Sequence, residues 1–417
     1  MERFDKKALN QIAQRIRARD EVVALTAAAT KAADLSRQPK LDIKPFQISD
    51  FEAAVSPDCS YRLMAKALKS AKTELLVYLY NIGADHMRAL LADALARKVS
   101  VRVMIDRNDP NDGKSEEWEK LKALGVTLQE APSKGARRVF SVCHQKYVVI
   151  DRRVVVLASA NWATSAIPLI QKKGQYKAGN REWFLRMDNA PIAQWFAELF
   201  QKDWDIPAAP LAGLRVSTDD LSLLPSETMF AALFVQPPII FDSLTSKVAA
   251  TVTPLISPVN YLAEVSKLLK TAKKTIDIQQ QYIKAGDGVN ELLRILHGRV
   301  NAGVRVRIVS SPKFDSWQDT QDTLRAAGLF SKLKALNLKQ FVHCHNKGVL
   351  VDDRYAVVSS TNWSENSIMR AREAGVLVDS KEISKYFGSV FQQDWATGLT
   401  PPQATLAIIE LPASERV

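Results

Sequence analysis

One block of residues occurs twice in this chain with identical internal spacing, and the copies stand 201 residues apart. Each block reads His, any residue, Lys, four residues, Asp, six residues, a small residue, Ser, any residue, Asn. The first copy is His144, Lys146, Asp151, Ser159 and Asn161, and the second is His345, Lys347, Asp352, Ser360 and Asn362. A repeat of this length requires a fold built from two copies of one unit. The same offset relates residues 70–75 to 271–276, so the repeat reaches well beyond the block. Between these points, residues 101–105 and 304–308 read as matching strands, each preceded by a helical stretch, 87–97 and 289–300. Trp195, Phe196, Phe200 and Trp204 mirror Tyr386, Phe387, Phe391 and Trp395 at helical spacing, which reads as packing of a helix on a sheet.

With 417 residues, 47% of them hydrophobic, the chain can bury two cores, and its helix–strand alternation indicates an α/β fold. The repeat places a first unit at 51–206 and a second at 255–397. Residues 1–50 lie outside it as a helical extension. Residues 207–254, with Pro207, Pro210, Pro237 and Pro238, read as an irregular connector, and 398–417 as a covering tail.

On a strand, side chains alternate between faces, so His144 and Lys146 share one surface, as do His345 and Lys347. Residues 146–150 and 154–159 are rich in Val, Ile and Leu and flank Asp151-Arg152-Arg153, the pattern of a β-hairpin. A two-residue loop at Arg152-Arg153 would pair His144 with Asn161 and Lys146 with Ser159. A loop at Asp353-Arg354 would pair His345 with Asn362 and Lys347 with Ser360. Asp151 and Asp352 then stand at turn starts, where an Asx-type cap is the expected role. Cleaving a phosphodiester needs a nucleophile on phosphorus, positive charge on the non-bridging oxygens and an acid for the leaving oxygen. Two blocks together supply all three.

Both blocks resemble the paired HKD motifs of the phospholipase D superfamily. The resemblance extends to Glu182 in Asn180-Arg181-Glu182 and Glu373 in Ala371-Arg372-Glu373, which are similar to the downstream acid that holds the histidine ring in that family. It implies two tandem phospholipase D-like α/β/α sandwich domains forming a pseudo-two-fold dimer with one shared active site inside a single chain, so that no oligomer is required for the site. It also implies His144 as nucleophile and His345 as general acid and base. Lys146, Lys347, Asn161, Asn362, Ser159 and Ser360 would bind phosphate, with Glu182 and Glu373 orienting the rings and Asp151 and Asp352 as structural members of the motif. The position before the motif serine, often Gly in the family, is Ala158 in one copy and Ser359 in the other, and either side chain would narrow the room near the phosphate.

A zinc site on His343 and His345 would leave both lysines and both asparagines unexplained, and the first copy carries Val142 where the second carries His343. No metal and no cofactor are assigned. His86 and His297 fall on helical stretches outside the block and read as structural. No stretch reaches the roughly 18 to 20 apolar residues that span a bilayer. The charged N-terminus lacks the apolar core of a secretory signal. Three cysteines are too few for a disulfide framework, which suits a reducing cytoplasm. The formal charge of +12 suits a polyanionic partner, either nucleic acid or an anionic membrane touched peripherally. Lys134, Arg137, Arg138, Lys172, Lys173 and Lys177 are candidates for the rim of the cleft, and the apolar segment 230–255 for a contact with lipid or between domains. The expected substrate is a phosphodiester: a phospholipid whose head group is hydrolysed off or exchanged, with a metal-independent endonuclease as the alternative. A non-catalytic scaffold would have let the motifs erode, and both are intact.

Overall fold

The computed structural model describes residues 4–25, 34–106, 116–170, 176–209, 239–313 and 316–404. Pro210, Pro237, Pro238, Lys172, Lys173, residues 230–238 of the apolar segment and residues 405–417 of the tail lie outside them.

The first half runs α1 (Lys6–Leu25), β1 (Phe46–Ile48), β2 (Phe51–Ser56), α2 (Ser60–Lys69), β3 (Glu74–Leu79), α3 (Asp85–Ala96), β4 (Ser100–Ile105), α4 (Glu116–Leu124), β5 (Thr127–Glu130), β6 (Tyr147–Ile150), β7 (Val154–Ala158), β8 (Glu182–Asp188) and α5 (Ala190–Trp204). The second continues with β9 (Leu244–Ser246), β10 (Ala250–Ser257), α6 (Tyr261–Thr271), β11 (Thr275–Gln280), α7 (Asp287–Asn301), β12 (Arg305–Ser310), α8 (Ser316–Ala326), β13 (Leu333–Ala335), β14 (Lys347–Val351), β15 (Tyr355–Ser359), α9 (Glu365–Met369), β16 (Glu373–Asp379) and α10 (Lys381–Thr397). Helices α5 and α10 start on side-chain caps, Asn189 accepting from the Ile192 amide and Ser380 from the Ile383 amide. Each cap satisfies an amide that the first helical turn leaves without a partner.

Each half forms one eight-stranded mixed sheet, in the orders β5-β4-β3-β6-β7-β8-β2-β9 and β13-β12-β11-β14-β15-β16-β10-β1. The orders match position for position, with the edge strands exchanged. Strand β1 precedes β2 in the chain but pairs with β10, and β9 precedes β10 but pairs with β2. The flanking segments, read as extension and connector, thus supply an edge to the opposite half, and β10 begins inside the stretch read as connector. The tail also contributes structure, since Leu399 bridges to Ala335 and Ala404 is buried in the second core.

Strand alternation divides the second sheet between two cores. Val349, Val351 and Val357 face α6, α7 and part of α1 on the outer side, whereas Leu350, Ala356 and Val358 join a cluster that continues through the interface into the first half. Trp183 of the first half is fully buried and stacks on Phe387 of the second, with ring centroids 4.4 Å apart and planes at 17°. It fits because residue 348 is glycine: a Cβ there would lie 2.4 Å from Trp183 Cζ3. The position corresponding to Gly348 in the first half is Tyr147, so this contact is made once.

Two register expectations are corrected. In both hairpins the connection holds three residues, not two. Ile150 faces Val154 and Val351 faces Tyr355, so every partner shifts by one and Lys146 lies opposite Ala158, whose amide donates to the Lys146 carbonyl. The cause lies in the aspartates. Asp151 and Arg152, and likewise Asp352 and Asp353, take left-handed backbone angles (φ 51° and 49°, 54° and 52°). The Asp151 carboxylate accepts from the amides of Lys72, Thr73 and Glu74 at 2.8–2.9 Å, and Asp352 does the same for Lys273, Lys274 and Thr275. Neither aspartate caps its own turn. Each pins its hairpin to the entrance of the central strand β3 or β11. The second correction concerns β4 and β12: Leu75 faces Val101 and Ile276 faces Val306, so Arg102 corresponds to Arg307 and not to Arg305. Both guanidinium groups cover an aromatic pair, Phe200 with Trp204 and Phe391 with Trp395.

Gly348→Ala should lower stability by about 1–3 kcal/mol through overpacking against Trp183. Urea midpoints at constant slope measure it, and an unchanged midpoint would contradict the packing described.

Candidate active site

The segments leading into β6 and β14 reach across the pseudo-two-fold axis. Cys143 forms a parallel bridge with Arg372, and Cys344 with Arg181. The amide of His144 donates to the Arg372 carbonyl at 2.8 Å and that of His345 to the Arg181 carbonyl at 3.2 Å. The next residues, Glu182 and Glu373, open β8 and β16. Each histidine therefore lies beside the glutamate of the other half.

The side chains follow that crossing. His144 Nδ1 stands 3.0 and 3.1 Å from the two Glu373 carboxylate oxygens, and His345 Nδ1 stands 2.6 Å from Glu182 Oε1. With a carboxylate on Nδ1, the ring carries its proton there and leaves Nε2 to react. The ring centroids are 6.5 Å apart, and all four groups are buried. Burial pushes His144 down to about 4 against the pull of Glu373. Burial, then Lys347 and Lys146, hold His345 well below its ordinary value. Burial also raises Glu182 to about 7, with Lys347 and Ser159 opposing.

Lys146 and Lys347 are buried and donate to the carbonyls of the adjacent motif histidines. Lys347 also donates to Gln281 Oε1 at 3.2 Å, and Lys146 lies 5.7 Å from the centre of the Tyr80 ring, which itself packs edge-on against His144. The Oδ1 atoms of Asn161 and Asn362 are buried with no hydrogen-bond partner. Other buried polar atoms share that state, and because phosphate oxygens accept hydrogen bonds, any contact with them falls to the Nδ2 amides of these two side chains.

Ser159 and Ser360 depart from the expectation of phosphate contact. Both are fully buried. Their hydroxyls donate to Glu182 and Glu373 and accept from the amides of Trp183 and Ala374. The one-residue shift in the hairpins is what turns them from the lysines towards the glutamates. Ser359 likewise bonds Thr361 and abuts Gly375 inside the sheet, so it does not narrow the cleft. Of the basic residues proposed for the rim, Arg137 is spent on the carbonyls of Asp203, Trp204 and Ile206 at the end of α5. Lys177 is exposed. His86 and His297 hydrogen-bond to the Ile167 and Ala327 carbonyls, outside the site.

Arg181 and Arg372, noted in the sequence only as neighbours of the glutamates, brace the crossing. Arg181 pairs with Asp394 of the second half and Asp58 of its own, and Arg372 with Asp203 of the first half, all fully or almost fully buried. Tyr80 and Gln281, at the ends of β3 and β11, were also missed. The 201-residue offset, applied to the residue after each central strand, would have marked them as a differing pair. Among the described residues no group of three or more His, Cys, Asp or Glu side chains is arranged to hold a metal ion.

In this arrangement one imidazole can attack phosphorus while the other protonates the leaving oxygen, with two ammonium groups beside the anion. Comparison with known proteins agrees with that chemistry. The family model described as "Cardiolipin synthase, PLD-like domain" matches residues 64–204 and 265–395, more than half of the chain. A phospholipase D of Rickettsia bellii (strain RML369-C) is 25% identical over 138 residues, 32% of this chain and 65% of that protein. The mitochondrial cardiolipin hydrolase of Mus musculus is 24% identical over 148 residues, 36% of this chain and 59% of that protein. The matches thus span less than two thirds of these relatives' length. The fold is shared along nearly the whole chain with phosphatidylserine synthase from Haemophilus influenzae Rd KW20, with a TM-score of 0.60 at 14% identity, covering 96% of this chain and 95% of that one. It is also shared with polyphosphate kinase from Porphyromonas gingivalis, with a TM-score of 0.51 at 12% identity, covering 90% of this chain and 56% of that one.

With ¹⁵N-labelled histidine, long-range spectra at pH 7 should show His144 and His345 neutral with the proton on Nδ1, and His144 should titrate only near pH 4. A His144 midpoint above pH 6 would contradict the buried, carboxylate-held ring.

Proposed function

The chain belongs to the phospholipase D superfamily, and on that premise we propose that it is a phosphodiesterase acting on phospholipids, removing or exchanging the head group through a phosphohistidine. The observation that carries the reading is the crossed pair of His–Glu contacts, which prepares two imidazoles for opposite duties. The description of the family model and the names of the two relatives matched in sequence, all concerned with phospholipids, support lipid as the substrate class.

His144 is neutral, and its Nε2 lone pair attacks phosphorus. The P–O bond to the leaving alcohol breaks, and that oxygen takes a proton from Nε2 of His345. In the second step His345 draws a proton from water or an acceptor alcohol, whose oxygen attacks phosphorus and releases His144. Lys146, Lys347, Asn161 and Asn362 hold the non-bridging oxygens. A bound diester anion opposes the two lysines that depress His345, so the acid form becomes accessible when substrate is present. Ser159 and Ser360 act through the glutamates they hold, and Asp151 and Asp352 through the hairpins.

The signs of the shifts set the pH profile. Protonation of His144 removes the nucleophile, so kcat/KM should fall below about pH 4. The proton shared by His345 and Glu182 should be lost above about pH 7, which gives the alkaline limb. Glu182→Gln should lower kcat and remove that limb. An unchanged profile would assign the acid elsewhere.

His144→Ala and His345→Ala should each lower kcat by at least about a thousandfold on phosphatidylglycerol vesicles, because the two rings act as a unit. Wild-type protein quenched in alkaline denaturant should carry phosphorus label that acid then releases and that His144→Ala lacks, and EDTA should leave turnover unchanged. Cleavage of single-stranded DNA with inert vesicles would replace the lipid reading with that of a nuclease, a reading the overall positive charge would accommodate.

A further inference from the structure

Beyond the paired motifs, the two sides of the cleft differ. Tyr80 and Val142 on the His144 side correspond to Gln281 and His343 on the His345 side, and Asp106, which follows β4, corresponds to Ser311, which follows β12. His343 lies two residues before His345 on an extended stretch, so both rings project from one face, with centroids 5.8 Å apart. The Ser311 hydroxyl lies 2.6 Å from His343 Nδ1 and fixes the ring. On the opposite side Asp106 turns its carboxylate to the Cys143 amide, and Val142 offers no polar group to substrate.

We propose that His343 is a specificity-determining residue that hydrogen-bonds the leaving alcohol of the diester, and that it breaks the symmetry of the site in favour of attack by His144. The proposal rests on the phosphodiesterase reading given above. In-line displacement expels the leaving oxygen opposite the attacking nitrogen, hence on the side of the second imidazole. The Nε2–P bond forms at His144, the P–O bond breaks with its electron pair on oxygen, and His345 supplies the proton. If His144 attacks, the departing alcohol meets His343; if His345 attacked, it would meet Val142. A polar, hydroxyl-bearing alcohol is better matched by the first direction, in which His343 adds a hydrogen-bonding group where Val142 has none. Burial keeps His343 neutral, so it can bond an alcohol without placing another cation beside His345. The substrate class this selects is a diester whose leaving alcohol carries hydroxyl or similar groups, such as glycerol, in preference to an apolar or aryl one.

The test compares full-length wild type, His343→Val and His343→Gln on phosphatidylglycerol vesicles and on bis(4-nitrophenyl) phosphate. Nitrophenolate departs without protonation and has no hydroxyl to bond. His343→Val, which installs the residue of the first copy, should lower kcat/KM on phosphatidylglycerol about tenfold and on the nitrophenyl diester less than about twofold, with His343→Gln recovering most of the loss. His343→Leu gives the same contrast should the valine variant not fold. Equal losses on both substrates would mean that His343 merely supports His345, and no loss on phosphatidylglycerol would remove it from recognition. Either outcome overturns the proposal. If wild type cleaves single-stranded DNA but not vesicles, the lipid reading fails alone. The same ratio, taken with DNA against the nitrophenyl diester, then decides for or against His343. Absence of turnover on every diester would overturn both readings.

Discussion

Everything in the cleft depends on buried charge being neutralised across the pseudo-two-fold axis. Arg372 ends on Asp203, Arg181 on Asp394 as well as Asp58, and the motif histidines on the opposite glutamates. Stranding one member of a buried ion pair costs about 3–5 kcal/mol, so neither half could keep these groups inside without the other. The backbone shares the task. The parallel bridges at Cys143–Arg372 and Arg181–Cys344 place each histidine one residue from the glutamate it needs. The exchanged edge strands β1 and β9 add a second stitch at the far side of the sheets, and Trp183 seated over Gly348 a third. The structure is one folding unit made from two repeats.

Duplication supplies the symmetry, and a few substitutions break it. Arg181 has Asp58 as a second partner, but at the matching position the second half has Val259, and one terminal nitrogen of Arg372 lacks a hydrogen bond. Tyr80 stands where the other half has Gln281, and Val142 where it has His343. Such differences matter because the reaction is itself asymmetric: one histidine must attack while the other donates a proton. Two chemically identical sides would leave that choice to the orientation of the substrate.

Much of the fold was legible from the repeat and the alternation of apolar residues, and the errors share a physical origin. The hairpin register was missed by one because turn length depends on backbone angles at Asp151 and Arg152, which are set by where the Asp151 carboxylate finds its amide donors, some 80 positions earlier in the chain. The match of β4 with β12 was displaced by two because a shift of two residues leaves the inward and outward alternation intact. Backbone pairing with β3 and β11 distinguishes the alternatives, and the stacking of Arg102 and Arg307 on their aromatic pairs agrees with it. Ser159 and Ser360 were given to the phosphate because they share the block with groups suited to it, and proximity in sequence does not say which way a hydroxyl points.

The amino-acid sequence by itself determined that two copies of a histidine, lysine and asparagine set exist, that each rides on a β-hairpin, and that a carboxylate follows each at an arginine-glutamate step. These are properties of spacing, and spacing is local. Which carboxylate serves which histidine was decided by the tertiary structure alone. A repeat is equally compatible with two self-contained sites and with one crossed site, because both place the same residues at the same intervals. The crossed arrangement wins because it lets the buried arginines and aspartates of each half find countercharges, and the histidines and glutamates hydrogen-bond partners, in the other, in an interior where an unpaired polar or charged group is costly.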